Sequence, residues 1–149
     1  MNSIDFKLHY FYPKSFSNRP YVEVFVDGTS LQEIFDFRFG GGKQLSYGLI
    51  CLPRLAPPKH YFRGYRSRYD ESRGRKQVLD CSCGSPGCDP VFCRIALDDD
   101  LVKWHDFVGA WSKTYDIDDF VFDGMQYLQA LDECQYMYEK IVASFGLKL

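Results

Sequence analysis

Strict alternation of apolar and polar residues near the start of the chain sets the first constraint on its fold. Ile4-Asp5-Phe6-Lys7-Leu8-His9-Tyr10 places every second side chain on one face, the period of a strand with one side buried. Tyr21-Val22-Glu23-Val24-Phe25-Val26 repeats the pattern with Val22, Val24 and Val26 together, and Asp27-Gly28 closes it as a turn. The two runs are predicted to pair as a hairpin. Ser30-Leu31-Gln32-Glu33-Ile34-Phe35 follows, with Ser30 as an N-cap, Glu33 three residues on to complete a capping box, and Leu31, Ile34 and Phe35 on one side. A short helix is expected there.

Residues 38–76 contain Gly40-Gly41-Gly42, Pro53, Pro57 and Pro58, which interrupt any long element, and no strand or helix is placed in them. Val78 to Cys83 reads as a strand entering a Gly84-Ser85-Pro86-Gly87 turn. Val91, Cys93, Ile95 and Leu97 share one face of the next strand, Asp98-Asp99-Asp100 makes a polar turn, and Leu101 to Phe107 makes a third strand, an antiparallel meander. The last element is a helix. Asp123 is its N-cap with Gln126 completing a capping box; Met125, Leu128, Leu131, Cys134, Tyr138, Ile141 and Phe145 recur at helical spacing, and Gly146 stands just past the end. The pattern predicts one α+β domain over residues 1–149. An antiparallel sheet of hairpins and a meander is covered by a long C-terminal helix and a shorter N-terminal one.

A hydrophobic fraction of 46% and an aromatic fraction of 17% exclude a disordered chain, and 149 residues suffice for a core without metal or disulfide. No apolar run nears the roughly 20 residues that cross a bilayer. The amino terminus carries Asp5 where a secretory signal would be basic and then apolar, so a soluble cytoplasmic protein with no membrane partner is expected. In that compartment the six cysteines are expected to be thiols or metal ligands. Charge is unevenly divided. Residues 1–95 hold 14 of the 18 Lys and Arg and 9 of the 20 acids, a balance of +5, while residues 96–149 hold 4 bases and 11 acids, a balance of −7.

Cys81, Cys83, Cys88 and Cys93 fall within thirteen positions as C-x-C-x4-C-x4-C, four soft thiolates that could close a tetrahedron around a structural zinc. The paired C-x2-C of a zinc ribbon is missing. Moreover, Cys93 has the parity of Val91, Ile95 and Leu97, so packing and turn chemistry compete with metal binding. Val78-Leu79-Asp80-Cys81-Ser82-Cys83-Gly84-Ser85-Pro86-Gly87-Cys88, Arg94-Ile95, Trp104-His105-Asp106-Phe107 and Phe120-Val121-Phe122-Asp123 with Gln126-Tyr127 resemble a widespread uncharacterised bacterial family. That family carries a C-x-C-G-x-x-G-C / W-x-D-F / F-V-F-D-x-x-Q-Y pattern. The likeness covers residues 78–131 and implies a shared fold without an activity; in it the position of Cys93 is usually apolar.

His9, His60 and His105 stand in three separate segments, and no nucleophile elbow or phosphate loop appears, so no catalytic and no cofactor-binding residue is singled out. Arg54, Lys59, Arg63, Arg66, Arg68, Arg73, Arg75 and Lys76 are interleaved with Tyr61, Phe62, Tyr65 and Tyr69, the mixture that single-stranded nucleic acid binding uses. Tyr115, Asp116, Asp118, Asp119 and Phe120 offer the opposite surface: charges that would steer a basic protein and rings that would anchor it. The expectation is a non-enzymatic protein-binding module. Small size, acidity and surface-capable aromatics resemble the immunity proteins that neutralise a cognate toxin in contact-dependent growth inhibition, which implies a toxin domain as partner at Tyr115 to Phe120. The alternative is a nucleic-acid-binding regulator using residues 59–76; a third reading is a thiol oxidoreductase using Cys81, Cys83 or Cys88.

Overall fold

The alternation at the amino terminus becomes a hairpin, and its register puts Ile4, Phe6, Val22, Val24 and Val26 on one buried face. In the computed structural model β1 (Ile4–His9) pairs with β2 (Tyr21–Val26), Ile4 opposite Val26 and His9 opposite Tyr21. The structure describes residues 1–9, 21–39, 47–48, 50–51, 57–66, 70–81 and 90–145. After β2 the chain turns back through Asp27 and Gly28, with φ of 52° and 81°, into β3 (Thr29–Ser30). Positive φ at both positions suits a two-residue hairpin turn and explains an aspartate followed by a glycine. The Asp27 carboxylate accepts hydrogen bonds from the Ser3 backbone N–H at 2.8 Å and Asn2 Nδ2 at 2.7 Å, bonds that hold its pKa below the usual value.

The helix α1 (Leu31–Phe39) buries Leu31 and Phe35. Its expected capping box does not form. Ser30 belongs to β3, opposite Phe25, and its buried hydroxyl has no hydrogen-bond partner among the described residues. Within the segment left unassigned by its glycines and prolines lie β4 (Tyr47–Gly48), β5 (Ile50–Cys51) and α2 (Pro58–Tyr61). β5 joins the edge of β2 that also carries β3, giving a four-stranded sheet.

A second, five-stranded sheet runs β4, then β6 (Lys76–Cys81), β7 (Val91–Asp98), β8 (Leu101–Gly109) and β9 (Phe120–Asp123), antiparallel throughout. The meander is as expected, but the fold has two sheets where one was expected, and β9 precedes the long helix. The inward face of β7 fades along its length: Val91 and Cys93 are buried, Ile95 is half-buried, and Leu97 is exposed where the β7–β8 hairpin overhangs the core.

The long helix α3 (Gly124–Phe145) begins as its sequence indicates, with the Gln126 N–H donating to Asp123 Oδ2 at 3.0 Å. Gln126 does not complete a box. Its side chain instead crosses to β1, accepting from the Ile4 N–H at 3.0 Å and donating to the Ile4 carbonyl at 2.7 Å. That attachment fixes the helix rotation, so the buried stripe is Tyr127, Ala130, Leu131, Cys134 and Tyr138, while Met125 and Leu128 face outward against expectation. Phe145's side chain and Gly146 lie outside the described residues. Asn2 fastens the same corner, donating from its backbone to the Val121 carbonyl at 2.8 Å and accepting from the Val121 N–H at 3.0 Å. Among the described residues no helix is long and apolar enough to cross a membrane.

The centre of the core is aromatic. Trp104 of β8 stacks on Phe62 with ring centres 6.0 Å apart and planes within 8°, and donates Nε1–H to the Tyr127 hydroxyl at 3.1 Å. That hydroxyl donates to the Phe62 carbonyl at 2.5 Å. All three side chains are fully buried, and burial pushes the Tyr127 hydroxyl well above its ordinary pKa, keeping it a donor. Tyr127→Phe leaves an indole N–H and a carbonyl without a partner and should cost about 1–3 kcal/mol, seen as a lower urea midpoint at unchanged slope. Gly124 is a second sensitive point, since a Cβ there would lie 2.8 Å from the Asp100 carbonyl oxygen to which its own N–H donates. Gly124→Ala should destabilise the fold by about 1–3 kcal/mol through overpacking against backbone, measured the same way.

Candidate functional site

The basic aromatic segment presents only part of its charge as a free surface. Tyr61 and Phe62 are fully buried, and Tyr61 donates its hydroxyl to the Gln77 carbonyl at 2.6 Å. Lys59 pairs with Asp132 of α3 at 2.7 Å. Lys76, itself buried, pairs with Asp70 at 3.0 Å and donates to the Tyr65 carbonyl. Arg75 lies between Glu71 at 3.1 Å and Asp106 at 2.8 Å. Arg68 is outside the described residues; Arg66 and Arg73 are exposed. Lys59, Arg75 and Lys76, which sequence reasoning collects into one patch, therefore neutralise acids on α3, on β8 and in the loop at residues 70–71, and phosphate would have to displace those partners.

His105 and Asp106 do not form a dyad. Asp106 occupies the irregularity where the β7–β8 register shifts between Phe92 and Arg94, and its backbone is left-handed at φ 59°, a conformation aspartate tolerates. Its carboxylate accepts from Arg75 Nε at 2.9 Å and Arg94 Nε at 3.0 Å. Partial desolvation would raise its pKa, but the two guanidinium groups outweigh that and hold it below the ordinary value. His60 stacks on Tyr65 at 4.7 Å, and His9 lies 2.8 Å from Glu23, so the three histidines remain apart in space as in sequence.

The cysteines separate. Cys93 is fully buried opposite Lys76, and burial, with Asp106 nearby, raises its thiol pKa well above normal. Cys81 ends β6 five residues beyond Lys76, which at strand spacing puts it about 16 Å from Cys93. A site using both would need sulfurs about 4 Å apart, so Cys93 serves the core, as its parity indicates. Cys83, Cys88 and the side chain of Cys81 lie outside the described residues. Cys134 is also buried, its thiol pushed up to about 12, so neither described thiol is an activated nucleophile.

The acidic segment divides into two sets. Tyr115 and Phe120 are only 6% and 9% exposed, Tyr115 packing edge-on to Phe35 at 5.2 Å and Phe120 on Phe107 at 5.6 Å; they are core residues, not anchors. Strand pairing explains this, since Phe120 lies opposite Trp104 on the inner face of β9. Asp116, Asp118 and Asp119 are exposed. Between them and α1 lies a groove of about 420 Å³. Ile34, Ile117 and Phe120 supply apolar lining, Phe37 forms a wall, and Glu33, Asp118 and Asp119 share the lining with Arg38, while Lys103, outside the groove, lies 3.8 Å from Asp119. Arg38 reaches across to the Asp116 carbonyl at 3.4 Å.

No family model, curated protein or solved structure matches this chain. Phe37 is the groove residue that sequence reasoning missed. It is 90% exposed on a helix whose other apolar residues face inward, and its position off the Leu31–Ile34–Phe35 stripe was the available signal.

Asp106 provides a pH test. With a depressed folded-state pKa, its contribution is fully present above the unfolded value of about 4 and is lost as pH falls through the folded one. Asp106→Asn keeps a residue that accepts the left-handed backbone and removes the charge. Because the site is partly solvated, stability should fall by about 1 kcal/mol at pH 7. The stability difference from the parent should vanish as unfolding is followed to acid pH.

Proposed function

We propose that this protein is a non-enzymatic protein-binding module whose groove between α1 and residues 116–120 receives a basic protein surface. The observation that carries the reading is Phe37: a ring left almost wholly in water, beside a concavity rimmed by three carboxylates and one guanidinium. Burying such a ring on association contributes on the order of 2 kcal/mol, and the surrounding charge favours cationic partners by steering the encounter. The function fitting this arrangement is that of an immunity protein, which neutralises a toxin domain by covering a basic surface. The anchoring element is revised from Tyr115 and Phe120 to Phe37, with Asp118 and Asp119 retained in the charged rim, Glu33 added to it, and Asp116 exposed just outside it. The pairing of Lys59, Arg75 and Lys76 with acids weighs against the nucleic-acid alternative.

The test is a comparison of the parent with Phe37→Ala and with Asp116, Asp118 and Asp119 reversed to lysine. Bait protein from the native cell should retain a basic protein whose purified form binds the parent. Each variant should bind that purified protein at least tenfold more weakly by calorimetry, with unchanged circular dichroism. Equal affinity for all three forms would remove the groove from the function.

A further inference from the structure

Trp111 is the most anomalous residue on the surface. Its side chain is 99% exposed, and its backbone is left-handed at φ 59° and ψ 37°. A bulky residue rarely adopts that region, because its Cβ crowds the following carbonyl. The turn that holds it is firmly closed. Gly109 N–H donates to the Lys113 carbonyl at 2.6 Å, Lys113 N–H to the Ala110 carbonyl at 3.2 Å, and Tyr115 N–H to the Phe107 carbonyl at 3.0 Å. An antiparallel bridge joins Val108 to Thr114. The indole is thus displayed on a rigid support and gives nothing to its own core. Its surroundings are cationic: Lys113 is exposed on the same turn, and exposed Arg73 lines the same surface cleft. Arg75, the other cation there, is already paired with Glu71 and Asp106.

The groove beside α1 complements this turn in each respect, being concave, apolar along Ile34 and Phe120, and acidic at Glu33, Asp118 and Asp119. Its volume of about 420 Å³ accommodates an indole. The turn and the groove share no lining residue, so one chain offers both at once. We propose that Trp111 of one copy seats in the groove of a second copy, with Lys113 and Arg73 meeting its acidic rim. The contact is heterologous, turn to groove, and leaves an unused turn at one end and an unused groove at the other. It deepens the function proposed above, on which it rests for the role of the groove, by making self-association the state that a basic partner must displace.

Sedimentation equilibrium on the full chain, from about 1 μM to about 1 mM, tests the proposal. The average mass should rise with concentration, and acrylamide quenching of tryptophan emission should fall in parallel, because Trp104 is already buried and only Trp111 can respond. Trp111→Ala and the double change Asp118→Lys with Asp119→Lys should each weaken association about tenfold or more. Mixing those two variants should restore a one-to-one dimer that grows no further, since one supplies the turn and the other the groove. A monomer at every concentration, association undiminished by Trp111→Ala, or no dimer on mixing would overturn the proposal. None of these results would alter how the groove variants bind a basic partner, so the two readings fail separately.

Discussion

The hydrogen-bonded cluster of Trp104, Tyr127 and Phe62 is the interaction on which the rest of the architecture depends. It draws together β8, the start of α3 and the residue following α2, three elements widely separated along the chain. Phe6 of β1 packs on all three rings, at 4.7 Å from Phe62, 6.4 Å from Trp104 and 5.7 Å from Tyr127, so the four-stranded sheet is attached at the same point. Rings supply a large apolar area for each ordered side chain, while the hydroxyl answers the two buried polar atoms that such close packing would otherwise strand. Two modest sheets and one helix can then share a single core.

Electrostatics follows from that packing. The formal division of the chain into a basic part and an acidic part is resolved locally: Lys59 to Asp132, Lys76 to Asp70, and Arg75 and Arg94 to Asp106. Once those pairs are made, the acids around α1 and residues 116–119 outnumber the cations beside them, and the surface gains its character there. Net charge alone gives no hint of this, because pairing is set by which strands are neighbours.

The strands of the amino-terminal hairpin and the meander were legible because their alternation is local, and the start of α3 was legible because Asp123 caps it. The helix rotation was not. Met125 and Leu128 satisfy helical spacing as well as Tyr127 and Ala130 do, and the choice is made by Gln126 reaching Ile4, a contact invisible in a linear pattern. β9 was hidden for a related reason: four residues leading straight into a helix carry too short an alternation to register. At the candidate site the sequence marks the acids as exposed, which they are, but neighbouring charge also points Tyr115 and Phe120 to the surface, where they are not. Strand pairing with Trp104 decides the burial of Phe120, and packing on Phe35 that of Tyr115. Phe37 leaves a trace in standing off the α1 stripe, whereas the exposure of Trp111 is a property of the folded surface alone.

The bond between Gln126 and Ile4 joins residues 122 positions apart. During synthesis the first hairpin can close as soon as residue 26 has emerged, but the cover of its apolar face is not complete until Tyr127 and the rest of α3 are made. At about 5–20 residues per second, that interval lasts roughly five to twenty seconds. The valines of β2 spend it at risk of meeting the wrong partner. Folding of this chain is therefore vectorial only in part: the first hairpin waits for the long helix.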